Sequence, residues 1–430
     1  NEDDNSFSQT TDLKIVNVDF KLDGENYSGL QLAEGASLGA NKYQASIFDS
    51  ENYKYSYYDT EGALYNATEP ITDDITIKLE PTERTYHIVY DDDESKVDCA
   101  YGTPFAEGCL YKDANRFELY YPGTPITKDA HVKRIPAVYE DGNYYLLVKS
   151  RADFVLISEM LNINPYLNIR LESDIDLEDL SDMYAFWSCD YKGTFDGNGH
   201  GITNVKNKYY SSALILKNYG TIKNVHIKNA SIHSSEYSAN FQSGILCARN
   251  YGTIENCSVE SSTVETKKRT DDDDEQSIKL RVHSALVGGN YGTIKDCFAK
   301  DITFNGDGET YPICKSFAGS KLENTYYLSE KAGEENAKTT EQFASGEVCS
   351  LLNHGVTDGS QYWRQNIDNG DERDAAPVAD PSHGSVYAGY QGCVKAYSNA
   401  KLQTTTPSHE AEYTANGNTI TGICKNDSSH

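Results

Sequence analysis

From residue 213 to residue 304, apolar and polar positions alternate in short bursts, each closed by Gly, Asn or Asp, and the pattern recurs. Asn218-Tyr219-Gly220-Thr221-Ile222-Lys223-Asn224-Val225-His226-Ile227 returns at 250–259 and again at 290–299, and the match runs on to Ile232, Val264 and Phe304. An apolar run precedes each copy: Ala213-Leu214-Ile215, Gly244-Ile245-Leu246 and Ala285-Leu286-Val287. Period-two bursts bounded by turn residues predict short strands. One such unit cannot bury its own apolar face, so successive units must stack. Each copy therefore reads as one coil of a parallel β-helix. Ile222, Ile254 and Ile294 should form one core column, Val225, Cys257 and Cys297 a second, and Ile227, Val259 and Ala299 a third.

The polar positions agree with stacking. Lys223, Glu255 and Lys295 follow the repeat isoleucine, and a fainter fourth copy at 319–325 adds Glu323, so charges alternate down the column. Next come Asn224, Asn256, Asp296 and Asn324, with Asn204 expected in a fifth copy at 201–205. Asn at a repeated bend bonds neighbouring backbone and stacks as a polar ladder. Gly220, Gly252 and Gly292 mark the turn in each copy. An unstapled solenoid would leave end strands unpaired, so caps are expected. Ser150 opens a helix over 150–161, and Thr339 with Gln342 has capping-box spacing for one or two helices within 339–353, ended by Gly355.

These units resemble the GLUG-type repeats of large bacterial surface proteins. The order of motifs carries the resemblance. A short helix is followed by Leu171-Glu172-Ser173-Asp174-Ile175-Asp176-Leu177, then by Gly193-Thr194-Phe195-Asp196-Gly197-Asn198-Gly199-His200, then by the repeats. The resemblance implies a right-handed parallel β-helix on a secreted or wall-attached protein, and no activity. Residues 12–80 are similar to the small β-grasp-like B-repeat of internalin-type surface proteins, through Tyr57-Tyr58-Asp59-Thr60-Glu61-Gly62 and Pro70-Ile71-Thr72-Asp73-Asp74-Ile75-Thr76. Ser56-Tyr57-Tyr58 stands where that family has a Gly-Trp pair. Tyr86-His87-Ile88-Val89-Tyr90 and Pro125-Ile126-Thr127 start and end a shorter second copy. The expected organisation is an arm over 1–11, B-repeat-like modules over 12–82 and 83–140, a capped β-helix over 141–375 and a C-terminal β segment over 376–430, read as an incomplete module.

Composition narrows the function. Lys and Arg number 38 against 66 Asp and Glu, a formal net charge of −28, which disfavours nucleic acid and anionic membranes as partners. No stretch is apolar enough to insert into a bilayer. Cys99 and Cys109 are candidates for a local disulfide. Cys257 and Cys297 occupy a position that takes Val in the first copy, so they read as core. Sequons fall at Asn26, Asn66, Asn229, Asn256 and Asn426. The acidic run 271–275 lacks the alternation and the glycine of a calcium loop and reads as a solvated insertion. The sequence at 196–200 reads as a tight turn in preference to a cation site. No metal, cofactor or catalytic residue is expected.

The leading expectation is thus a noncatalytic extracellular adhesin or scaffold whose partner is a host surface, a neighbouring cell or a glycan. One alternative is a filament subunit that pairs with itself by end stacking or strand donation. Another is a carbohydrate lyase or hydrolase. The alternating Lys/Glu ladder and histidines out of register weigh against the last.

Overall fold

A computed structural model describes residues 14–39, 48–91, 93–106, 109–113, 116–178, 187–207, 213–234, 242–266, 282–306, 308–331, 333–356, 358–391, 394–405, 411–417 and 419–424. The arm, the acidic run 271–275 and Asn426 lie outside these residues. The chain is mainly β and divides into two units, 1–136 and 137–430.

The first unit contains two sheets with one plan. Strand Ile15–Leu22 pairs antiparallel with Glu25–Ala33 and parallel with Ile75–Glu83, which pairs antiparallel with Tyr53–Tyr58. Alternation puts Val16, Val18 and Phe20 on the inner face, where Ile77, Leu79 and Tyr57 meet them. The second sheet repeats this. Thr85–Tyr90 pairs antiparallel with Lys96–Ala100 and parallel with Ala130–Arg134, which pairs antiparallel with Cys109–Asp113. Ile88, Phe105, Ile126 and Val132 form its core. Cys99 and Cys109 do not come together. They lie on strands separated by two others, Thr85–Tyr90 and Ala130–Arg134, so about three strand spacings part them, well beyond disulfide reach. Cys99 is a buried free thiol.

In the second unit the repeats form parallel sheets. The eight-stranded one begins with the hairpin Ala137–Glu140 and Asn143–Val148, and continues in parallel through Asn168–Leu171, Thr194–Asp196, Thr221–Lys223, Thr253–Glu255, Thr293–Lys295 and Lys321–Glu323. Because Ala137–Glu140 belongs to this sheet, the expected boundary at 140 moves back to 136. Ile222, Ile254 and Ile294 are paired directly and fully buried, with Phe195 before and Leu322 after them. In the nine-stranded sheet Ile175, Ile202, Ile227, Val259 and Ala299 align likewise. Cys257 and Cys297 are fully buried free thiols, each donating to a carbonyl two residues back.

The charge column is longer than the repeats disclose. Register places Arg170, Asp196, Lys223, Glu255, Lys295 and Glu323 in one row, alternating in sign throughout. Lys295 bonds Glu255 at 2.6 Å, and Lys223 lies 3.4 Å from Asp196. Glu255→Lys would set three lysines side by side. It should lower stability by about 1 kcal/mol or less, with the deficit shrinking in high salt, as read from urea midpoints at two ionic strengths.

Asn224, Asn256, Asp296 and Asn324 all adopt left-handed φ, between 46° and 58°. Asn324 donates to Asp296 at 2.7 Å and Asn256 to Asn224 at 3.4 Å. Asn204 departs from expectation. Ile202 pairs with Ile227, not with Ile222, so Asn204 stacks on Asn229 and Asp176 at the following corner. The ladder position below Asn224 is Gly197, and the Asn224 amide donates instead to Asp196 of the charge row at 2.8 Å. Asp196 also accepts the Asn198 N–H at 2.9 Å, and Asn198 and Gly199 have positive φ, which makes 196–200 a tight turn.

Helix α1 (Arg151–Leu161) is capped by Ser150, whose side chain accepts from the Asp153 N–H, and it buries Phe154, Ile157, Met160 and Leu161. Helices α2 (Thr340–Ala344) and α3 (Glu347–Leu352) follow the last repeat, the former with a full capping box between Thr339 and Gln342. The terminator of α3 is His354 as much as Gly355. His354 takes the left-handed position at φ 55°, and its N–H bonds Leu351 while the Gly355 N–H bonds Ser350, both at 2.8 Å. That is a Schellman ending. Phe343, Val348 and Leu352 share one core with Phe298, Trp363, Ile367 and Val386. The core therefore crosses the expected boundary at 375. No described helix is long and apolar enough to cross a membrane.

Candidate functional site

On the outer face of the nine-stranded sheet, His226, Ser258 and Phe298 form one column, and Thr203, Lys228, Glu260 and Lys300 the next. Alternation explains this, since the residues between them, Ile227 and Val259, point inward. The chain after α3 returns across the first column. Trp363 lies edge-on to His226 and tilted against Phe298, with centroids 5.1 Å apart in both pairs, and its indole N–H donates to the Asp296 carbonyl at 3.2 Å.

A cleft of about 320 Å³ opens beside this crossing. Gly201, His226, Lys228, Ser258 and Glu260 line its floor, and the segment 377–383 forms its other wall. Lys228 sits 3.4 Å from Glu260. At the rim His200 faces Asp174 at 3.4 Å, and His383 Nδ1 is 2.7 Å from Asp374.

The cleft brings together a serine and a histidine. His226 Nδ1 lies 3.0 Å from Ser258 Oγ, and Nε2 lies 2.9 Å from the Tyr362 hydroxyl. Burial pushes the imidazole pKa down to about 3 and pushes the Tyr362 phenol well above its usual range. All three groups are then neutral near pH 7. Both ring nitrogens face hydroxyls, so no carboxylate holds this imidazole in the way a hydrolase triad requires. A base held so far from protonation is a poor acceptor for the serine proton. The arrangement holds these polar groups against one another beneath the returning chain.

The same burial couples stability to pH. The folded pKa lies below the unfolded value of about 6.5, so the unfolded chain binds one more proton between the two. The stabilisation present above pH 6.5 is lost as pH falls toward 3, at up to about 1.4 kcal/mol per pH unit. His226→Asn should flatten the stability profile between pH 6 and 4 by one proton. An unchanged slope in denaturant melts across that range would refute the assignment.

The residues singled out from sequence are structural. Gly220, Gly252 and Gly292 do not have positive φ. A side chain there would enter the backbone of the preceding rung, at Gly193, Gly220 and Gly252 respectively. Their role is clearance. Ile222, Ile254 and Ile294 are core, and Asn224, Asn256 and Asp296 form the bend ladder. Of the described sequons, Asn26, Asn66 and Asn229 are exposed. The Asn256 amide is engaged with Asn224, which leaves little room for a glycan between rungs. Among the described residues no cluster of His, Cys, Asp and Glu could hold a metal.

Sequence reasoning missed the Ser258–His226–Tyr362 contact. Residues 226 and 362 lie 136 positions apart and carry no motif. It also passed over the repeat tyrosine, whose signal was recurrence itself. Tyr219, Tyr251 and Tyr291 stack with centroids 4.7 and 4.8 Å apart, and Phe317 continues the stack at 4.3 Å.

No family model matches the chain, and no curated protein matches it. Among solved structures, the chain is similar to a “putative immunoglobulin A1 protease” from Bacteroides ovatus, at 15% identity, over 57% of this chain and 94% of that one, with a TM-score of 0.34.

Proposed function

We propose that the chain is a noncatalytic extracellular surface protein, an adhesin or scaffold. Its parallel sheets wind as a right-handed β-helix with GLUG-type coils, and the B-repeat-like modules act as spacers. The observation that carries this reading is the state of the one Ser–His pair in the cleft. Its imidazole is buried and engaged by hydroxyls on both nitrogens, a structural arrangement that does not suit proton transfer. The repeats spend their outward polar groups on one another, as charge pairs, amide ladders and ring stacks. Such columns stiffen a stalk and do not assemble a reactive centre. The partner is a glycan or another component of a cell surface. Incubation with a panel of polysaccharides should give retention without new reducing ends or unsaturated products. Turnover that Ser258→Ala abolishes would overturn the reading.

A second reading, self-assembly into a filament, has one observation in its favour. The hairpin Ala411–Asn416 and Thr419–Cys424 forms a two-stranded sheet with Tyr413 and Ile420 each 72% exposed. A lone hairpin is marginal in water and gains by adding strands. Electron microscopy of concentrated protein with and without residues 406–430 decides it, since fibres that need the hairpin support assembly and monomers in both exclude it.

A further inference from the structure

We propose that Cys257 and Cys297 are a cross-linking site, joined under oxidising conditions by a disulfide that staples the second repeat to the third. The staple lies in the core and is separate from the cleft.

The two cysteines occupy one position of adjacent rungs. Glu255 pairs with Lys295 just before them, and Ser258 pairs with Phe298 just after. Register on both sides sets Cys257 opposite Cys297 at one strand spacing, about 4.8 Å, inside the Cα separation of about 4.4–6.8 Å that a disulfide accepts. Both side chains are fully buried. Cys297 Sγ already leans on the other residue, since it accepts the Cys257 N–H at 3.3 Å. Cys257 Sγ rests 3.1 Å from the Glu255 carbonyl, on the side of Ile222. Closing the bond requires Cys257 to turn about χ1 toward Cys297 and the two Cβ atoms to approach to about 3.5–4.5 Å. Both residues lie between strands, just after the left-handed bend at Asn256 and Asp296, and the Cys257 N–H bonds the sulfur and no carbonyl.

The other cysteines show that this pair is specific. Val225 precedes Cys257 in the column, so apolar volume alone is met by Val. Two thiols on successive rungs add what Val cannot, a bond. Cys247 and Cys314 share another column, but Val287 stands between them. Two strand spacings, about 9.6 Å, then part them, beyond disulfide reach. Cys349 donates to the Trp363 carbonyl, and Cys99 belongs to the first unit. Among the described residues, Cys257 and Cys297 are the only cysteines that register sets side by side.

The oxidant is a low-molecular-weight disulfide, such as glutathione disulfide. The thiolate of one cysteine attacks the S–S bond of the reagent and expels one reagent thiolate. The thiolate of the other attacks the protein sulfur of that mixed disulfide and expels the second. Two electrons pass to the reagent, and the two protons lost by the cysteines end on its two thiols. The thiolate is the nucleophile. In the folded core, burial pushes the Cys297 thiol well above its ordinary range, and Cys257 beside it adds to the shift. Closed coils therefore keep the pair inert, and the bond forms as the rungs come together during folding. Once made, it spans 40 positions and restricts the unfolded chain, which stabilises the stack. Lys267-Lys268-Arg269 falls between the two cysteines, so a cut there would leave both parts of the stack joined.

The test refolds the full chain from denaturant in a mixture of reduced and oxidised glutathione, and exposes the folded, reduced chain to the same mixture in parallel. Digestion without reductant and mass spectrometry then map the bonds. The refolded chain should yield a peptide joining Cys257 to Cys297 that reductant splits, and the folded, reduced chain should form it at least about tenfold more slowly. Cys257→Val and Cys297→Val, each installing the residue of the first copy, should both abolish that peptide. The linked chain should unfold at higher denaturant than its reduced form, and that difference should shrink in Cys257→Val. Secretion into an oxidising periplasm provides the same map if the denatured chain does not refold. A native chain with both cysteines free, either cysteine joined mainly to another partner, or a linked chain no more stable than the reduced one would each overturn the proposal.

Discussion

Gly252→Ala should be the most damaging single-methyl change in the repeats. The added carbon would fall inside van der Waals contact of the Gly220 carbonyl oxygen and 2.8 Å from the Tyr219 carbonyl carbon. Both are backbone atoms of the rung below, so no rotamer change relieves the clash. The same carbonyl accepts the Thr253 N–H at 2.9 Å, and the Asn218 carbonyl accepts from Tyr251 at 2.7 Å. Relief must lengthen these bonds and pull Tyr251 off its stack. Overpacking of this kind costs about 1–3 kcal/mol and at times more. We expect about 3 kcal/mol in the denaturant midpoint, with a changed near-ultraviolet signal from the tyrosines. A midpoint within about 0.5 kcal/mol of the parent, the range of an ordinary surface change, would show that the rungs are not in this contact.

Ile254→Ala should cost about 2–5 kcal/mol, the range for truncating a buried isoleucine. Ile254 is fully buried and paired with Ile222 on one side and Ile294 on the other, so both neighbours lose contacts. Collapse is hindered because the flanking backbones are held at strand spacing. The cavity term should then lie toward the upper end. Since stacked units are stabilised by their nearest neighbours, hydrogen exchange should quicken at Ile222 and Ile294 before it does in the strands of the first unit. An unchanged midpoint would remove the basis for reading these copies as one stack.

Much of the stack was legible because the repeat writes each rung in the same letters. Identical turn chemistry fixes identical register, and Ile222, Ile254 and Ile294 could be aligned by eye. The helix caps were local signals and needed no tertiary context. Where a rung departs from the consensus, the alignment failed. Gly201-Ile202-Thr203-Asn204 fits two positions of the repeat equally, and only the pairing of Ile202 with Ile227 sets Asn204 at the later corner.

The repeat glycines show a different limit. Sequence alone marks them as turn residues, whereas the reason for each is the approach of another rung, which no local window contains. Ten residues separate Cys99 from Cys109 in the chain, yet two strands separate them in the sheet. A crossover strand, Ala130–Arg134, inserts from further along the chain. The Ser258–His226–Tyr362 contact arises in the same way. Strand periodicity, the stacking columns and the helix caps depend on local pattern and near-identical neighbours, so they can be read along the chain. Which side chains meet across sheets and returns depends on where distant segments cross, and that is set by the fold alone.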